Sequence, residues 1–133
     1  MASAVYPKGI ITIMSGGIAL QTLDLNAILL DTAVYTYSAA HQFYSDLSGV
    51  VATETGNFAS KTIGVVGTGV LDAADATVTA ATGTHAEAIA VFVDRGGAAT
   101  ADDLLSYNEL SAPVTPNSGD ITIQFNASGV FSL

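Results

Sequence analysis

The segment Ala86 to Asp94 is the longest nearly unbroken apolar run rich in β-formers. Read as a strand, it places Ile89, Val91 and Val93 on one face and Ala88, Ala90 and Phe92 on the other. Both faces are apolar, so both need cover. A helix would strip χ1 freedom from the Ile, Val and Phe residues. Arg95-Gly96-Gly97 also stops the run after too few residues for a typical helix. The pattern predicts a strand over 86–94. Either it is central between two sheets, or one face meets a second copy or a partner protein.

Shorter β-rich runs separated by turn signals fill the rest of the chain. Gly9 to Met14 and Ile18 to Leu23 flank Ser15-Gly16-Gly17, a pattern that predicts a hairpin. Short apolar or alternating runs follow at 26–31, 33–37 and 50–53. The run 61–70 is β-prone but broken by three glycines. The run 77–81 is expected to pair with 86–94 as a hairpin. Further strands are expected at 104–107, at 121–125 with Ile121, Ile123 and Phe125 inward, and at 130–133.

Two segments break the β pattern. Ser38 to Leu47 suits a short helical stretch, with Ser38 as N-cap and Phe43 and Leu47 four positions apart on one face. Residues 1–9 contain Pro7 and Gly9 and read as an N-terminal arm. The chain is thus expected to be all-β, with one domain over 10–133. That domain is a jelly-roll-like antiparallel β-sandwich of roughly eight to ten short strands.

Composition adds one strong constraint. Of 133 residues, 50% are hydrophobic and 11% are charged, against roughly a quarter charged in an ordinary soluble domain. Either the surface is neutral and rich in Ser, Thr, Asn and Gly, or other subunits cover much of it. Charge-poor surface suits interface cores.

The net charge is −9, from twelve acids against Lys8, Lys61 and Arg95. Three basic residues cannot build a groove that tracks phosphates, which excludes direct nucleic-acid binding and attraction to an anionic membrane. The chain has no cysteine, so it has no disulfide or thiolate site. The first residues lack a basic stretch followed by an apolar core, so no secretion signal is expected. No apolar run approaches the roughly 20 residues of a membrane span. Synthesis in the cytoplasm, followed by a soluble existence or assembly, is the expectation.

No motif for catalysis emerges. His41 lies near Gln42, Tyr44 and Asp46, and His85 near Glu87, without a second histidine at ligand spacing. Asp72 with Asp75, and Asp102 with Asp103, lack the ligand alternation of a calcium loop and suit turns. Neither glycine-rich stretch, Ser15–Gly17 or Gly64–Gly69, carries the Lys-Ser/Thr of a phosphate loop. No catalytic, metal-binding or cofactor-binding residue is expected, and the chain is read as a non-enzyme. Under an enzyme reading, His41 and Asp46 would be the residues to test.

Several stretches carry a family resemblance. They are Ser38 to Asp46, Gly69 to Ala80, Glu87 to Asp94, and Pro113 to Ile123 with the ending Gly129 to Leu133. In these the chain resembles small structural proteins from the head-gene region of tailed bacteriophages, the capsid cement or decoration proteins. The resemblance implies a jelly-roll-like protein on the capsid exterior that bridges major capsid subunits. Association with itself as a dimer or trimer is also expected. Val5, Tyr6, Tyr35, Tyr37, His41, Phe43 and Tyr44 are the candidate interface. An alternative reading is a tail or head-appendage module that contacts host carbohydrate through exposed tyrosines, Tyr35, Tyr37, Tyr44 and Tyr107 among them.

Overall fold

A computed structural model describes residues 3–65, 67–125 and 129–132. The run 86–94 is a strand with the expected bounds. It is the middle strand of a five-stranded antiparallel sheet. In spatial order the sheet runs β1 (Ser3–Val5), β8 (Leu104–Val114), β7 (Ala86–Asp94), β2 (Asp24–Leu30) and β3 (Val50–Val51). β2 lies along β7 from Asp24 opposite Asp94 to Leu30 opposite Ala88. Leu25 to Leu30, apolar but for Asn26, is buried throughout, as a strand covered on both faces requires.

The two faces of β7 belong to two separate cores. Ile89, Val91 and Val93 join Leu25, Ala27, Leu29 and Leu105 in the larger one. That core is closed by two smaller sheets. One is ordered β10 (Phe131–Ser132), β5 (Val70–Asp72), β4 (Thr62–Ile63), and the other pairs β6 (Ala76–Val78) with β9 (Ile121–Ile123). Leu71, Phe131, Val78 and Ile123 are the buried side chains they contribute. The architecture is an all-β sandwich. Each large aliphatic side chain buried between the sheets contributes about 1.5–3 kcal/mol.

The second face carries Ala88, Ala90 and Phe92. No sheet covers it. The connection 31–49 between β2 and β3 folds back over it and brings Tyr35, Tyr37, Tyr44 and Leu47. Two small residues on β7 leave room for rings above them.

Several expectations are corrected. Residues 9–14 are not a strand but most of the helix α1 (Pro7–Met14). Pro7 stands at the first turn, where its fixed φ favours a helix start and its missing N–H costs nothing. The β propensity of Ile10-Ile11-Thr12-Ile13 yields to this start and to packing. Ile18 and Leu20 are buried in the larger core but lie in no strand, so the 9–23 hairpin does not form.

Residues 1–9 are not a free arm over their described part. Ser3, Ala4 and Val5 pair with Asn108, Tyr107 and Ser106 of β8, and the Tyr6 N–H donates to the Leu105 carbonyl at 2.9 Å. Residues 1 and 2 of that arm, Leu133 of the final strand, and most of the turn at 126–129 lie outside the described residues. β6 does not pair with β7. Both edges of β7 are occupied by β2 and β8, so β6 pairs with β9 instead.

The helix expected over 38–47 shrinks to a 3-10 turn at Tyr44–Asp46. Residues 42–44 are tied to the chain before β8 instead. The Leu104 N–H donates to the Gln42 carbonyl, the Tyr44 N–H donates to the Asp102 carbonyl, and Phe43 bridges to Asp103. Those bonds use backbone groups that a helix would need. The Ser38 hydroxyl caps only its own turn, accepting from the Ala40 N–H. Residues 33–37 likewise form no strand, because Asp31 holds the Ala33 N–H with its carboxylate and the Val34 and Tyr35 N–H groups with its carbonyl.

Candidate interaction surface

The expected interface residues converge, but they converge inside the molecule. Tyr6 is fully buried and Tyr35 is buried as well. Their hydroxyls are 2.8 Å apart, and the Tyr35 hydroxyl lies 2.8 Å from His41 Nδ1. Tyr37 donates to the Val5 carbonyl at 2.7 Å, which ties the loop to the end of β1. The Tyr37 ring sits 5.1 Å from that of Tyr6 and 5.7 Å from that of Tyr107. Tyr44 packs on Phe92 with ring centroids 4.7 Å apart. These tilted contacts are favourable ring geometry.

This layer corrects two expectations. Tyr6 and Tyr35 are not free to meet a partner, because they are the cover that β7 needed. Tyr37, His41 and Tyr44 are half-buried at the margin of the layer, Phe43 is half-buried next to Tyr44 in the chain, and half-buried Val5 packs against the larger core instead. The tyrosine platform imagined for carbohydrate is not present as such, since Tyr35 and Tyr107 are both buried.

The electrostatics of the layer follow from burial. Desolvation, chiefly, pushes the Tyr6, Tyr35, Tyr44 and Tyr107 hydroxyls above the usual tyrosine range. Nearby Glu54 and Asp102 add to this at Tyr44, and Glu109 and Glu87 add at Tyr107. Asp46 moves the other way. The N–H groups of Phe43 and Gln42 both donate to its carboxylate and hold it below the usual range. His41 Nδ1 and the Asp46 carboxylate, the pair an enzyme reading would use, are thus both engaged in local structure.

The other singled-out polar residues hold turns. Asp103 is buried and pairs with Arg95 at 2.8 Å, while Asp102 accepts from the Arg95 backbone N–H. Arg95 also donates to the carbonyls of Ala101 and Gly17. Asp75 accepts from the Phe125 N–H. Lys61 donates to the Leu23 carbonyl and to Asn57 Oδ1. His85 sits at the surface, 3.9 Å from Glu87. Among the described residues, no group of three or more His, Cys, Asp or Glu is placed to hold a metal ion. Among them, no helix is long and apolar enough to cross a membrane.

The outward apolar surface lies elsewhere. Ile11 is 64% and Met14 80% exposed, on adjacent turns of one face of α1. Val34 and Val50 are exposed on either side of Gly49, at the β3 edge of the large sheet. Ile63 and Val65 are exposed at the edge strand β4 and just beyond it. Sequence reasoning missed Ile11 and Met14 because it placed them in a strand. The signal that could have found them is Pro7, a helix start signal ahead of residues spaced by three.

A cleft of about 560 Å³ opens between β8 and β9. Its floor is the cross-strand pair Leu29 and Ile89, and its walls include Leu110, Ile121, Ile123 and Phe125. A smaller hollow of about 240 Å³ lies over the tyrosine layer, between Thr32, Tyr37 and Glu109.

No protein-family model matches this chain, and no curated protein matches it significantly. The functional reading therefore rests on the fold, the surface and the chemistry described above.

Proposed function

We propose that this chain is a non-catalytic structural protein of a tailed-bacteriophage virion, a capsid cement protein bound on the outside of the head. The observation that carries the reading is the exposure of large apolar side chains, Ile11, Met14, Val34 and Val50 above all, on a chain with 11% charged residues. Ile11 with Met14 on one face of α1, and Val34 with Val50 about Gly49, are paired apolar side chains of the kind that suits docking on another subunit. Both faces of β7 are satisfied within the chain, so these residues are left for partners. A shell under internal pressure is weakest at its seams. A small sandwich seated across a seam adds buried area to both neighbours, and an interface of ordinary size buries about 1,600 Å². The major capsid protein is the proposed partner.

Sedimentation with purified heads stripped of accessory proteins tests this. The protein is expected to pellet with heads at a saturating, fixed stoichiometry. The double variant Ile11→Ser, Met14→Ser should bind at least tenfold more weakly while its circular dichroism is unchanged. Failure of the unmodified protein to pellet with heads would remove the proposal.

A further inference from the structure

Arg95 joins separate parts of the fold at one side chain. Its backbone is fixed first. β7 ends at Asp94, and the Arg95 N–H donates to Asp102 Oδ1 at 2.9 Å. The guanidinium then spreads over three acceptors. Nε donates to the Ala101 carbonyl at 3.1 Å, and Nη2 donates to Asp103 Oδ2 at 2.8 Å and to the Gly17 carbonyl at 3.2 Å. Asp103 is buried, so its carboxylate holds the guanidinium in place.

Gly17 is the link to α1. The helix ends in a Schellman cap, in which the Gly17 N–H donates to the Thr12 carbonyl and the Gly16 N–H to the Ile13 carbonyl. Gly16 takes the left-handed conformation this cap requires, with φ of +85°. The cap fixes Gly17 to the last turn of the helix, which carries Met14. The start of α1 is held separately, by the Tyr6 N–H on the Leu105 carbonyl and by Gly9 against Leu104. Among the described residues, the bond from Arg95 is the only hydrogen bond between 12–17 and the chain beyond α1 and its cap. Ile13 packs on the larger core, but an apolar contact has no direction. The hydrogen bond is what fixes the rotation of the helix about its axis.

We propose that Arg95 is a positioning residue for docking, one that sets the angle at which α1 presents Ile11 and Met14 to a partner. The inference rests on the reading of that helix face as a docking surface. Arg95 acts through the Gly17 carbonyl. A lysine at this position keeps a charge opposite Asp103, but its compact ammonium lacks the planar fork that reaches both carbonyls as well. Once released, the end of α1 samples several rotations. Apparent affinity then falls by the fraction of time spent in the docking pose.

The test compares four full-length proteins: unmodified, Arg95→Lys, the pair Ile11→Ser with Met14→Ser, and all three changes together. Arg95→Lys is expected to keep its circular dichroism and to speed hydrogen exchange at the amides of Ser15, Gly16 and Gly17, with the β7 amides unchanged. It should weaken sedimentation with stripped heads at least about threefold, with the same number of copies bound at saturation. Added to the serine pair, it should weaken binding no further, because the face it orients is gone. General loss of stability would instead weaken both backgrounds alike. If Arg95→Lys does not fold, Arg95→Gln with Asp103→Asn takes its place, since it leaves no buried charge unpaired. Unchanged exchange at 15–17, unimpaired head binding, or equal weakening in both backgrounds would each overturn the inference while the docking reading stands. Failure of the unmodified protein to pellet would overturn that reading, and the inference with it.

Discussion

The hydroxyls of Tyr6 and Tyr35 meet at 2.8 Å inside the chain, although 29 positions separate them in sequence. This bond joins the residue between β1 and α1 to the loop that covers the second face of β7. It is part of the reason that face needs no partner subunit.

The pair should behave as a unit when truncated. Tyr6→Phe is expected to cost about 0.5–1.5 kcal/mol, the usual worth of one hydrogen bond. Tyr35→Phe should cost more, because it also strips His41 of its partner. The double variant should cost less than the sum of the two by at least about 0.5 kcal/mol. Urea unfolding of the four proteins measures this, and strict additivity would show that the two hydroxyls are not coupled.

Alkaline pH should unfold the protein through the same layer. Burial raises Tyr6, Tyr35, Tyr44 and Tyr107 in the folded chain, while unfolded tyrosines ionise near about 10. Above that pH the folded state binds more protons than the unfolded one, so stability falls as pH rises. Below it the contribution of these groups is fully present. Absorbance of ionised tyrosine should therefore rise steeply, together with loss of circular dichroism. Gradual ionisation of all five tyrosines with the fold intact would contradict the buried layer.

Gly9 offers a prediction whose sign opposes helix propensity. Alanine is the better helix former by about 1 kcal/mol. Gly9 is buried where α1 crosses β8, and a Cβ there would collide with the Leu104 carbonyl oxygen. Gly9→Ala should lower the thermal midpoint, while Lys8→Ala, at the exposed neighbour, should change stability by less than about 0.5 kcal/mol. A stabilised Gly9→Ala variant would mean that α1 does not lie on β8 as described.

The strands around β7 were legible where burial leaves a plain mark. A run apolar on both faces and stopped by Arg95-Gly96-Gly97 has little choice but a central strand, while the short apolar run at 26–31 marks most of β2 without showing that it is buried on both faces. The sequence was misleading where tertiary contacts outweigh local preference. Ile10-Ile11-Thr12-Ile13 is β-rich, yet it is helical behind Pro7. The pairing of β6 with β9 is not legible locally, because sequence neighbours are the natural partners and nothing local reveals that both edges of β7 are filled. Tyr6 and Tyr35 looked like interface residues because a tyrosine suits a buried layer and a wet rim equally well. Their partners lie far away in sequence, so burial could not be read from spacing.

The chain covers both faces of β7 by itself, and the proposed role leaves its exposed apolar side chains to dock on the capsid. Electron cryo-microscopy of purified phage heads saturated with this protein is the decisive experiment. The account predicts the chain on the outer shell, with Ile11, Met14, Val34 or Val50 buried against major capsid subunits and the Tyr6–Tyr35 layer closed within each copy. Density that places the chain away from the shell, or leaves all four of those side chains facing solvent, would contradict it.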